Sequence, residues 1–119
     1  MAIHIKTPSR IKSSGNKVKI IDEFIGHVNS QHSEISIAKM QSPPGWEEPA
    51  QTPEFNEYTL VLKGSMHVKT DTDYFIIKAG EAFVAQKGER IQYSTPDPEG
   101  AEYVAVCLPA FTPDTVNRE

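Results

Sequence analysis

Four carboxylates, Glu47, Glu48, Glu54 and Glu57, crowd the stretch between Trp46 and Tyr58. Acids this close together suit two kinds of chemistry. One is the holding of a hard divalent cation such as Mg²⁺ by oxygen ligands; the other is proton transfer by a carboxyl whose pKa has been moved by burial. The other reactive side chains are scattered. His4, His27, His32 and His67 stand far apart, and no paired Cys or His spacing of a zinc site occurs. Each histidine reads as a surface residue. Cys107 stands in an apolar run, where a thiol is hard to ionise and therefore inert. No Ser-His-Asp set can be placed, and there is no G-x-x-x-x-G-K phosphate cradle. Glu47, Glu48 and Glu54 fall in a proline-rich segment that reads as a loop reached by water, where acids serve solubility. Glu57 differs, because it opens a strand-type run.

The elements that must position Glu57 have a period of two rather than 3.6. Residues 17–28 read as two short strands around a tight turn at Asp22 and Glu23. A third strand runs from Ile35 to Met40 and is stopped by Ser42-Pro43-Pro44-Gly45. Glu57 to Lys63 reads as a strand ending at Gly64, with a hairpin partner at Met66 to Lys69. Strands at Tyr74 to Ile77, Phe83 to Ala85, Ile91 to Ser94 and Tyr103 to Leu108 follow, separated by turn residues such as Asp71-Thr72-Asp73, Ala79-Gly80, Lys87-Gly88 and the Pro96 to Gly100 segment. About ten short strands without sustained helical spacing predict an all-β sandwich or small barrel. Alternation places Glu57, Thr59 and Val61 on one face, and Ile91 and Tyr93 on another.

A chain of 119 residues has room for one hydrophobic core. With 38% hydrophobic and 24% charged residues and nine prolines, it is an ordinary globule of short elements. A net charge of -4 gives no basic surface for nucleic acid or an anionic membrane, and no apolar run is long enough to span a bilayer. The basic stretch from Lys6 to Lys19, broken by Pro8 and Gly15, reads as a solvated arm. The single cysteine and the lack of a signal-peptide pattern point to the cytoplasm. The organisation expected is an N-terminal arm (1–16), a barrel with an N-terminal strand pair (17–108) and a C-terminal tail (109–119) that packs outside the barrel and then frays. The added strand pair either covers a sheet edge or pairs with a second copy, and a homodimer is expected.

The glycines then take on meaning. Gly45, Glu57 and Gly64 fall in the register of the first cupin motif, with Gln51 and Pro53 where its two histidines would stand. Gly80 and Gly88 fall in the register of the second, with Gln86 for its proline, Ile91 for its histidine and Thr95 for its asparagine. The chain thus resembles the cupins over residues 35–108, which implies a double-stranded β-helix, or small jelly-roll barrel. Metal-containing members hold a divalent ion on three histidines and one glutamate; of that set only Glu57 remains, so the resemblance implies no metal and no other cofactor. The runs Glu54 to Tyr58, Ile91 to Pro96 and Tyr103 to Val106 resemble the ethanolamine-utilisation cupins, which likewise lack the histidines.

In that register, Glu57 and Ile91 both point into the barrel. A carboxylate enclosed there without a cation is desolvated and becomes a candidate acid/base, unless Tyr93, Gln51 or Arg90 satisfies it. The function expected is binding of a polar small-molecule ligand around Glu57, with Gln51, Glu54, Tyr93, Ile91 and Trp46 as the other wall residues, Trp46 either covering the mouth or anchoring its loop. The alternative is an enzyme that uses Glu57 as general acid/base, or a rebuilt carboxylate-rich metal site, on a carbohydrate-like or carboxylate substrate.

Overall fold

Alternation is expressed most fully in the last strand. Ala101, Tyr103, Ala105 and Cys107 are buried, while Glu102, Val104, Val106 and Leu108 turn outward. The computed structural model describes residues 1–119, with nine strands and no helix. In chain order they are β1 (Ser9–Ile11), β2 (Ile20–Ile25), β3 (Ser36–Ser42), β4 (Trp46–Glu47), β5 (Asn56–Thr70), β6 (Tyr74–Lys78), β7 (Ala82–Ala85), β8 (Ile91–Thr95) and β9 (Ala101–Leu108). All pairings are antiparallel. One layer has the order β1-β2-β3-β9-β5-β7, and the other β4-β8-β5-β6. The all-β jelly-roll expected from the sequence is the architecture found.

Strand β5 belongs to both layers. Its first half, to Gly64, pairs with β9 and β7, and its second half, from Ser65, pairs with β8 and β6. The sequence reading puts a hairpin at Gly64, but the chain continues as one strand of 15 residues and bends there. Gly64 has a φ of 70°, and a β-carbon on it would run into the Gly100 carbonyl oxygen. A turn and a sharp bend make the same demand for glycine, which is why sequence alone does not separate them.

The N-terminal region also departs from expectation. Residues 20–25 form one strand with a bulge between Glu23 and Ile25, in place of two strands and a turn. The segment read as a solvated arm supplies β1, which pairs with β2 and forms the outer edge of its layer. The tail does not fray either. Thr115 and Asn117 accept hydrogen bonds from the amides of Glu54 and Thr52 (2.9 and 3.2 Å), Glu119 donates to the Ala50 carbonyl (2.9 Å), and Val116 packs in a small core with Phe55 and Cys107. The main core lies at the β4-β8-β5 side, where Trp46, Met66, Val68 and Ile91 are almost wholly buried. No helix is long and apolar enough to cross a membrane.

Candidate functional site

Between the layers lies a cavity of about 70 Å³. Its wall is built by alternation: Glu57 and Thr59 from β5, Tyr93 from β8, Tyr103 and Cys107 from β9, and Ser36, Ala38 and Met40 from β3 all turn inward. Lys19, Glu48, Gln51 and Arg118 enter from the connecting segments and the tail.

At one point of this wall the Tyr93 hydroxyl donates to Glu57 Oε1 at 3.0 Å. Glu57 keeps some accessible surface, but it lines the interior cavity. Loss of bulk water raises its carboxyl pKa, and nearby Glu48 raises it further. The Tyr93 hydrogen bond and the charges of Lys19 and Arg118 pull it back only in part. Burial raises Glu48 in the same way, against Lys19 and Arg118. Tyr93 is pushed well up by burial and by Glu57, so its hydroxyl stays a donor. Burial, with Glu57 beside it, pushes the Cys107 thiol far up, which leaves it inert as the sequence reading holds.

The opposite charge comes from two cations. Lys19 is 7% exposed; its Nζ donates to Tyr103 Oη (3.1 Å) and Met40 Sδ (3.6 Å) and lies 4.1 Å from the Trp46 ring centroid. Burial opposes its charge, but the Tyr103 oxygen and the Glu48 and Glu57 carboxylates outweigh it, and its pKa is raised. Arg118 approaches Glu48 Oε2 at 3.8 Å. Gln51, 3% exposed, exchanges both backbone hydrogen bonds with Ile91 (2.8 Å each), yet its side-chain oxygen is buried without a partner.

Of the residues expected at the site, the fold brings Glu57, Gln51 and Tyr93 together on the wall. It does not bring the others. Ile91 is 1% exposed in the main core and off the wall. Trp46 is fully buried, donates from Nε1 to the Ser14 carbonyl at 2.9 Å, and covers no mouth. Glu54 is exposed and accepts from Asn117 Nδ2 at 3.0 Å. Arg90 does not reach Glu57; it pairs with Glu119 and Asp71. The reading of the acidic loop as solvated holds for Glu47 and Glu54 but fails for Glu48, 4% exposed. His67 is not a surface histidine: it is 8% exposed, with its ring nitrogens 2.7 Å from Tyr74 Oη and from Asp97 Oδ2, away from the cavity wall. No group of three or more His, Cys, Asp or Glu side chains converges on one point.

Sequence reasoning missed Lys19, Glu48, Tyr103 and Arg118. The first two had a signal: Lys19, Ile21 and Glu23 are buried in alternation, as are Trp46, Glu48 and Ala50. A period of two continued back from Ile21 and onward from Trp46 turns both charges inward. Arg118 had none, since its place depends on the tail bridging Gln51.

Comparisons agree with this architecture. The chain is similar to an endoribonuclease YbeY of Myxococcus xanthus, 38% identical over 101 residues, but that match covers 85% of this chain and 34% of the other, so the chain spans about a third of that relative's length. The Clostridium difficile EutQ protein superposes with a TM-score of 0.65 at 22% identity, over 80% of this chain and 65% of that one. The polyketide cyclase RemF of Streptomyces resistomycificus does so with a TM-score of 0.74 at 19% identity, over 98% and 84%. At these identities the two structures share the fold, which is that of the cupins. The model of the family "Ethanolamine utilisation protein EutQ" matches residues 45–112. That is more than half of the sequence, and it takes in Gln51, Glu57 and Tyr93, so the chain belongs to the EutQ family.

Proposed function

We propose that the chain is a small-molecule-binding cupin with a degenerate metal site, which takes a polar metabolite in the barrel beside Glu57. The observation that carries this reading is the cavity itself, where a Tyr93-Glu57 hydrogen bond, Lys19, Glu48 and Arg118 meet an otherwise largely apolar wall. A few polar groups set in an apolar-walled cavity are what orients a small ligand. The residues do not fit a cupin metal. Pro53 and Ile91 offer no side-chain donor, Gln51 offers a weak neutral oxygen, and the cations Lys19 and Arg118 stand beside the two buried acids. The second reading, an enzyme with Glu57 as general acid/base, is favoured by one observation, the raised Glu57 carboxyl hydrogen-bonded to Tyr93.

Thermal-shift screening against a metabolite panel, run with the wild type and Glu57→Gln, tests the proposal. A true ligand at about 100 times its Kd adds about 2.7 kcal/mol to wild-type stability, and the variant loses or changes that response. A panel that gives no hit altered by the substitution counts against the cavity as a binding site. Tighter binding by the variant together with lost turnover would support the enzyme instead. Stoichiometric transition metal bound at Glu57 would overturn the degenerate site.

A further inference from the structure

The β1-β2-β3-β9-β5-β7 layer carries apolar side chains on its outer face as well as its inner one. Glu57, Thr59, Ala105 and Cys107 line the cavity, so the residues that alternate with them on β5 and β9 turn to the outside of the barrel. Cα register sets those residues side by side. Val84 of β7 stands opposite Tyr58 of β5, Tyr58 opposite Val106 of β9, Val106 opposite Ile37 of β3, and Ile37 opposite Ile25 of β2. An unbroken apolar row thus crosses five strands. Leu60 and Val104 stand together in the next row, and Tyr58, Leu60 and Val84 are 41%, 46% and 52% exposed. Leu108 and Leu62, also exposed, extend the patch at its two ends.

Charge gathers at the margin, where it is paired within the chain. Lys39 and Lys63 reach Glu102 at 2.8 and 3.7 Å, and Arg10 holds Asp22 at 2.9 Å. An apolar centre inside a polar rim is the layout of a subunit interface. Five strands spaced about 4.8 Å apart, over about six residues of strand, give the apolar part a footprint of about 400 Å². An exposed apolar patch of that extent marks an interaction surface. With its rim counted, the face is on the scale of the roughly 800 Å² that each partner gives to a stable interface. The paired margin gives a charged partner little to recognise. A second copy needs no such recognition, because an apolar face is its own complement and a two-fold axis brings it against itself.

We propose that the outer face of this layer is the interface of a two-fold symmetric homodimer, with Tyr58, Leu60, Val84 and Val106 at its centre. The edge strand β1 offers only three residues for pairing, so the second copy meets the face and not the edge. The contact uses the backs of strands whose fronts line the cavity. The two cavities therefore lie on opposite sides of the joined layers, and the dimer does not depend on what the cavity binds.

Sedimentation equilibrium of the full chain over a dilution series tests the interface. The wild type should have the mass of two chains at micromolar concentration. Leu60→Lys combined with Val106→Lys sets like charges across the axis and should raise the dissociation constant about a hundredfold or more. Ile76→Lys, at an exposed position on β6 in the other layer, should leave the constant unchanged. The milder pair Leu60→Thr and Val84→Thr should raise it about tenfold, and it carries the test if circular dichroism shows the lysine pair unfolded. A one-chain mass for the wild type at high micromolar concentration overturns the proposal, whether the face stays bare or takes a different protein. So does an unchanged constant in the folded lysine pair or in the threonine pair, and so does a dimer that Ile76→Lys splits equally well.

Discussion

Gly64→Ala should lower the thermal midpoint by about 10 °C or more, while Gly80→Ala lowers it by only a few degrees. Both glycines have positive φ, 70° and 86°, so an alanine at either position carries the left-handed strain of about 1–2 kcal/mol. They differ in what the added carbon meets. At Gly80 there is nothing within 4 Å, whereas at Gly64 it meets the backbone of Gly100, which cannot move aside as a side-chain tip can. Gly100 also lies close to the end of β3, where a β-carbon on it would run into the Ser42 carbonyl, so it has little room to give way. Loss of several kcal/mol is a large part of the 5–15 kcal/mol that holds a domain of this size together. Melting curves followed by circular dichroism decide the matter. Equal losses at the two positions would mean that backbone crowding at the bend of β5 contributes nothing.

The second large effect is a change in the pH profile of stability. The Glu57 carboxyl has a folded pKa above its ordinary 4.5, so the folded state holds that proton more tightly than the unfolded chain does. Its contribution is therefore complete below about pH 4.5 and is lost as pH rises through the raised value. Glu57→Gln keeps an oxygen for the Tyr93 hydroxyl and removes the ionisation. The variant should match the wild type near pH 4 and exceed it by several degrees in midpoint at pH 7–8. Glu48, shifted in the same direction, remains, so the slope shrinks without vanishing. A difference between wild type and variant that stays constant from pH 4 to 8 would show that Glu57 is not held up by its surroundings.

Much of the frame is legible in the residues themselves. Alternation in Ala101 to Leu108 and around Thr59 and Val61 reports the inward faces correctly, because antiparallel strands with one wet face leave that pattern in the sequence. The Glu57-Tyr93 pair follows from the same rule. Charged residues resist it, since lysine, arginine and glutamate are solvated in most proteins and composition gives no sign of the exceptions. Lys19 is disguised by the basic stretch before it, and Glu48 by its proline-rich surroundings. Arg118 is a different case. Its place in the wall follows from the tail's hydrogen bonds to residues 50–54, a pairing between segments more than sixty positions apart that no local pattern encodes.

Strand β5 has a consequence for traffic into the interior. The two layers that wall the barrel each contain one half of this single continuous backbone, hydrogen-bonded along its length to different neighbours. Such walls cannot part like a clamshell without breaking ladders on both sides at once.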